Sequence, residues 1–247
     1  MQVNPKFHPD TRAMVTQATE LAALAPPLAI KAPANAAGIA AMAEMTARGI
    51  RVNATVSFSV AQALAASAAI ARGLERARAA GLEADRIRPY ITLMIGRVDD
   101  HLKRVAEAQK IETTAGVLDW AGIAVFKQAH RIFKDRGLPG TLLAAAYRHE
   151  GHWSQIIGRE VLQTIPYTWW KKFNVSGTEP RATLEEPVAE PIVTELREKF
   201  PDFNQACDED GMTPSEFGRY GATVHTLHQF LQGYADLVGF VRGVMLG

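Results

Sequence analysis

The stretch IKAPANAAGIAAMAEMTARGIRVNATVSFS, residues 30–59, changes its pattern twice. Its first part belongs to a short apolar run, LAIKAP at about 28–33, that reads as a buried strand. NAAGIAAMAEMTARG follows, rich in alanine, the best helix former, and closed by Gly49, a residue that takes the left-handed conformation at helix ends without cost. IRVNATVSFS then concentrates β-branched residues, which suit a strand at about 52–58. Two strands joined through a helix, with no hairpin signal between them, run parallel, because a parallel return needs a crossover.

The alternation extends both ways. Upstream, HPDTRAMVTQATELAAL carries Asp10 and Thr11 as helix-start signals and Met14, Val15, Ala18, Leu21 and Ala22 at helical spacing, with Pro26 and Pro27 as the stop. Downstream come a long helix over about 60–80 closed by Gly81, a strand in RPYITLMIG (89–96), and helices over 99–110 and 118–136. A strand in TLLAAAYR (141–148), a helix in HWSQIIGREV and a strand in VLQTIPYTW (161–166) complete the series, and a stub at residues 1–4 is a candidate sixth strand. NVSGTEPRATLEEPVAEP (174–191), with three prolines and little apolar content, reads as a loop. Residues 213–246 read as a helix with Phe217, Leu227, Phe230, Leu231, Leu237, Val238 and Val241 on its apolar face. Strands that are apolar throughout belong to a sheet covered on both faces. The expectation is α/β: a (β/α)8 TIM-barrel type, incomplete with about six strands, one domain over residues 1–247, its long C-terminal helix packed across the barrel.

Composition narrows the function. Lys+Arg (27) and Asp+Glu (26) nearly cancel, so no broad basic face for nucleic acid is expected, and an anion site must be local. The single cysteine, Cys207, leaves no internal disulfide, and the N-terminus MQVNPKFHPDT has no apolar signal-like core; a cytoplasmic protein is expected. No stretch approaches the ~18 apolar residues of a membrane span.

In a parallel barrel the strands' carboxyl ends carry the chemistry. Lys31 lies inside an apolar strand, where withdrawal from water favours a free amine able to attack a carbonyl; a structural lysine whose tip reaches solvent is the competing reading. Asn53 and Thr55, two apart on one strand, face the same side and offer an amide and a hydroxyl to a substrate or a water. Arg97, after Gly96 in TLMIGRVDD with Thr92 earlier on the strand, and Arg148, at the end of LLAAAYR, are two guanidinium groups at successive strand ends that can clamp a phosphate. Ion pairs of Arg97 with Asp99 or Asp100, and of Arg148 with Glu150, are the structural alternatives. His149 and His152 have the spacing of a metal pair but lack convincing further ligands, so no metal site is expected.

Taken in order, these pieces resemble the transaldolase family. IKAPANAAGIAAMAEMTARGIRVNATVSFSVAQALA is similar to that family's IKIPAT strand, helix and GI-x-VN-x-T-L-x-FS-x-x-QA segment. MIGRVDD resembles its VGR segment, LLAAAYR its arginine-ended strand and TIPYTW its TIP strand. The resemblance implies that Lys31 is a Schiff-base nucleophile and that Asn53 and Thr55 contact substrate and the catalytic water. It places Thr92 near the substrate and gives its phosphate to Arg97 and Arg148. It implies transfer of a dihydroxyacetone unit between sugar phosphates, as in the pentose phosphate pathway, without metal or organic cofactor. An aldolase-type relative acting on a ketose phosphate, or a catalytically weak sugar-phosphate binder, is the alternative.

Three departures bear on activity. QVNPKFHPDT resembles the family's third-strand segment, usually EVDP, with Gln2 in the catalytic glutamate's place and Asn4 in the aspartate's. The first two βα units, with the aspartate of the first strand, have no counterpart, and the exposed edge this implies leaves room for a homodimer. Met94 stands where the family has an aromatic residue, which bears on the balance of transferase and aldolase activity. Without those carboxylates, weak turnover with retained sugar-phosphate binding is expected of the chain by itself.

Overall fold

A computed structural model describes residues 1–25 and 27–247. After a 3₁₀ turn at Pro5–Phe7, α1 (Thr11–Leu24) starts at Asp10, whose carboxylate accepts the Ala13 N–H at 2.9 Å. Pro26, half of its expected stop, lies outside the described residues. There follow β1 (Ile30–Pro33), α2 (Ala36–Ala47), β2 (Val52–Thr55), α3 (Val60–Ala79), β3 (Tyr90–Leu93), α4 (Ile95–Gln109), α5 (Ala121–Arg136) and β4 (Thr141–Ala144). The chain continues through α6 (Gly151–Ser154), β5 (Val161–Gln163), α7 (Tyr167–Asn174), α8 (Glu190–Lys199), α9 (Pro201–Cys207) and α10 (Gly221–Leu246).

The first two βα turns each use a side chain to satisfy a free helix N–H. Asn35 Oδ1 accepts from Gly38 N (2.8 Å) to open α2, and Ser59 Oγ accepts from Gln62 N (3.1 Å) to open α3. At the other end, Gly49 (φ +79°) and Gly137 (φ +59°) take the left-handed conformation after α2 and α5. The strands make one parallel sheet in sequential order β1-β2-β3-β4-β5. Lys31 is in register with Asn53, and Pro33 with Thr55. The sheet is open. The N-terminal stub, a candidate sixth strand, makes a single parallel bridge from Gln2 to β1: Lys31 N donates to Met1 O (2.8 Å) and Val3 N donates to Lys31 O (3.1 Å).

Ile30, Ala32, Val52, Ala54, Ile91 and Leu142 are buried within one hydrophobic cluster fed by the inner faces of α1 to α5. Full burial of a Val, Leu or Ile side chain is worth about 1.5–3 kcal/mol, so these strands are held chiefly by what covers them. The backbone is close-packed where loops meet: a Cβ on Gly96 would lie 2.0 Å from Ala146 O.

Several observed elements are shorter than their sequence patterns, whereas α4 begins at Ile95, before the helix expected at 99–110. The strands expected at 52–58, 89–96, 141–148 and 161–166 stop at Thr55, Leu93, Ala144 and Gln163. The helix expected through HWSQIIGREV is the four residues of α6, and the chain after β5 turns into α7 at Tyr167. The helix expected over 213–246 starts at Gly221, which leaves Phe217 in the preceding turn. The first part of α10 packs on α4 and the N-terminal turn, across the carboxyl ends of the strands. Its second part leaves Leu237, Phe240, Val241 and Val244 exposed. No helix among the described residues is long and apolar enough to cross a membrane.

Candidate active site

At the carboxyl ends of β1 and β2, a cavity of about 20 Å³, room for about one water molecule, is lined by Lys31, Thr55 and Val56, by Gln2 and His8 of the N-terminal segment, and by Leu227 and Phe230 of α10. Lys31 is half-buried between buried neighbours, and Thr55 is 6% exposed. On the adjoining strands Thr92 Oγ1 donates to Asn53 Oδ1 at 2.7 Å, with both side chains buried. That bond commits the amide oxygen and leaves the amide NH₂ with hydrogens to offer. Asn53 and Thr92 stand beside the cavity, outside its lining.

The end of β2 is strained. Val56, β-branched, sits at φ 51°, a conformation that costs of order 1–3 kcal/mol and persists only where the surroundings impose it. Buried Gln62 imposes it. Its Nε2 donates to Ala34 O (2.8 Å) and Val56 O (3.2 Å), and its Oε1 accepts from Phe58 N (2.9 Å). One amide thus ties the turn after β1 to the turn after β2 and fixes Lys31 relative to Thr55. Gln62 lies within the FSVAQA segment that carries the family resemblance, but its signal is structural and gave it no role in the sequence reading.

Arg97, in the first turn of α4, donates to Thr226 Oγ1 (3.3 Å) and to Gln229 Oε1, and its guanidinium carbon is 5.8 Å from the Phe230 ring centroid. Phe230 also lines the Lys31 cavity, so Arg97 stands at the cavity's rim. Burial, and then the positive charge of Arg148, push its guanidinium below the ordinary arginine value. Arg148 makes a two-pronged ion pair with Asp100 (Nη2–Oδ2 2.7 Å, Nε–Oδ2 3.0 Å) and donates to Ala146 O and Tyr147 O. The alternatives weighed from sequence therefore exchange partners. Asp100 pairs with Arg148 rather than Arg97, and Glu150 accepts from Thr178 Oγ1 (3.1 Å).

His152 is fully buried with Asp99: its Nε2 lies 2.7 Å from Asp99 Oδ2, while its Nδ1 accepts from Arg148 N at 2.9 Å. The other Asp99 oxygen accepts from Gly122 N (2.8 Å), and His149 Nε2 lies 3.5 Å from Oδ2. Burial by itself would raise the Asp99 carboxyl, but the nearby His149 ring and the hydrogen bonds from His152 and Gly122 outweigh it and hold it below the usual carboxylate range. Burial keeps His152 below its ordinary value, so the pair is a carboxylate and a neutral ring. Both ring nitrogens of His152 are committed, and the trio works as a brace under Arg148. Asp99 is the partner that sequence spacing did not reveal.

This geometry agrees with what the chain resembles. Residues 1–214 match the family model described as transaldolase/fructose-6-phosphate aldolase, and the chain belongs to that family. A transaldolase of Thiobacillus denitrificans is 27% identical over 254 residues, covering 94% of this chain and 65% of that protein. A transaldolase of Neisseria meningitidis serogroup C is 33% identical, covering 77% and 58%, and Transaldolase 1 of Streptomyces avermitilis is 34% identical, covering 61% and 41%. The chain spans less than two thirds of the length of these curated relatives.

Proposed function

We propose that this chain carries transaldolase-type chemistry: a dihydroxyacetone unit passes between sugar phosphates while covalently held by Lys31. The observation that carries the reading is the convergence of Lys31 and Thr55 on one cavity at the strands' carboxyl ends, with Arg97 against its Phe230 wall and Arg148 close enough to act on the Arg97 charge. The Lys31 amine attacks the ketose carbonyl, and the carbinolamine loses water to give a protonated imine. That imine draws in the electron pair of the neighbouring C–C bond as it breaks. The retained three-carbon enamine then adds to an acceptor aldehyde, and water releases the product. Thr55 holds the water that enters and leaves, Gln2 offers it a second hydrogen-bonding group, and Asn53, bonded to Thr92, meets a substrate hydroxyl. Arg97 and Arg148 hold the phosphate.

Borohydride added with dihydroxyacetone or a ketose phosphate tests this. A reduced adduct located on Lys31 by peptide mass spectrometry, and lost in Lys31→Met, is the expected result. An adduct of equal yield in Lys31→Met would reject the assignment. Trapping together with carbon transfer would favour the transferase, and cleavage without transfer the aldolase-type relative.

A further inference from the structure

Transfer through Lys31 needs a group that takes and returns a proton, and an amide (Gln2) or a hydroxyl (Thr55) does neither well near neutrality. Among the described residues lining the cavity, two ionise: Lys31 and His8. His8 closes the 3₁₀ turn, with its N–H donating to Pro5 O (3.1 Å). Its carbonyl accepts from Asn35 Nδ2 at 2.9 Å, and Asn35 Oδ1 is committed to Gly38 N, so the amide orientation is fixed. Thr11 Oγ1 donates to Ala37 O (2.9 Å) and fastens the same segment to α2. The ring is therefore carried on a short loop pinned to the helix that directly follows the Lys31 strand. Asn35 Nδ2 stands 3.5 Å from His8 Nδ1, too far to lock the tautomer, so the ring keeps a lone pair to offer.

We propose that His8 is the proton-transfer residue of this site. The inference rests on the Lys31 reading above. Neutral His8 takes the proton from the hydroxyl on the sugar carbon whose bond to the retained unit breaks. That C–O becomes an aldehyde C=O, the C–C pair moves into the protonated imine, and an enamine remains on Lys31. When the enamine carbon attacks the acceptor aldehyde, the imidazolium returns the proton to the new alkoxide, and the ring ends as it began.

The surroundings suit a neutral base. Burial lowers His8 below the ordinary histidine value, which leaves the ring unprotonated at neutral pH. The groups around it are Lys31 on β1, the uncharged Asn35 on α2, the apolar Leu227 and Phe230 on α10, and Lys6 and Asp10 on its own segment.

The experiment compares the unsubstituted chain with His8→Asn and His8→Gln, using a ketose phosphate donor, an aldose phosphate acceptor and borohydride. The expected result is full trapping on Lys31 after long incubation in all three, which also shows that the variants are folded. Transfer falls about 10²- to 10⁴-fold in both variants, with partial rescue of His8→Asn by added imidazole. The acid limb of the pH–rate profile, set by His8 protonation, disappears in the variants. If the unsubstituted chain traps nothing on Lys31, the Lys31 reading itself fails. If it traps but does not turn over, if the variants turn over normally, or if His8 variants lose trapping as well, the His8 assignment is overturned.

Discussion

Arg97 and Arg148 do not start from the same state. Arg97 is held by a neutral amide and a neutral hydroxyl, whereas Arg148 is already neutralised by Asp100. An incoming phosphate exchanges weak partners at Arg97 but competes with a carboxylate at Arg148. A hydrogen bond to a charged group is worth about 1.5–3 kcal/mol, so Arg97→Ala is expected to raise KM for phosphorylated substrates about 10- to 150-fold, with little change for dephosphorylated analogues. Arg148→Ala is expected to discriminate less. Steady-state kinetics on a sugar and its phosphate decide this, and equal losses on both would assign the arginines to structure. Lys31, Asn53, Thr55, Thr92, Arg97 and Arg148 were singled out as candidates in the sequence because a polar residue within or just beyond an apolar strand is anomalous. Asp99 and His8 were not. Asp99 sits inside a helix among other charges, 53 positions from His152, and His8 lies in a polar turn where histidine is unremarkable.

At the scale of elements, the order of strands and helices was legible and their ends were not, because tertiary contacts set the ends. Val56 and Ala146 leave their strands with positive φ (51° and 67°), which no hydrophobic pattern foretells. Glu160 (φ 64°) likewise interrupts the run that reads as a helix after Gly151. Glycine at the start of α10 lets the helix come close to α4, since a Cβ at Gly221 would lie 2.2 Å from the His101 ring. Once begun, α10 lays Leu227 and Phe230 over Lys31 and leaves a space far smaller than a sugar. Substrate entry therefore requires this part of α10 to shift. Phe230→Ala is expected to speed Lys31 adduct formation at low donor concentration and to lower the melting temperature. The stability loss should be smaller than the about 3–5 kcal/mol of a fully buried Phe, because Phe230 is half-buried. Unchanged trapping rates in Phe230→Ala would show that α10 does not limit access.

On the scale of the molecule, cohesion is unevenly distributed. β2, β3 and β4 each have a strand on both sides, and their neighbours α3 and α5 carry the deepest part of the core. β1, which carries Lys31, has β2 on one side and a single bridge on the other. Opening of that bridge breaks its two backbone hydrogen bonds and the one from the N-terminal amine to Ala29 O, and uncovers the buried Val3, so it costs far less than global unfolding. Gln2 belongs to the segment that would peel away, while His8, tied to α2 through Asn35, and Thr55 on β2 stay behind. Heat should then disable the protein before it denatures it. Over a range of temperatures below the calorimetric midpoint, with far-UV ellipticity still intact, transfer is expected to fade reversibly, and the Lys31 amide to exchange with deuterium faster than that of Asn53 beside it.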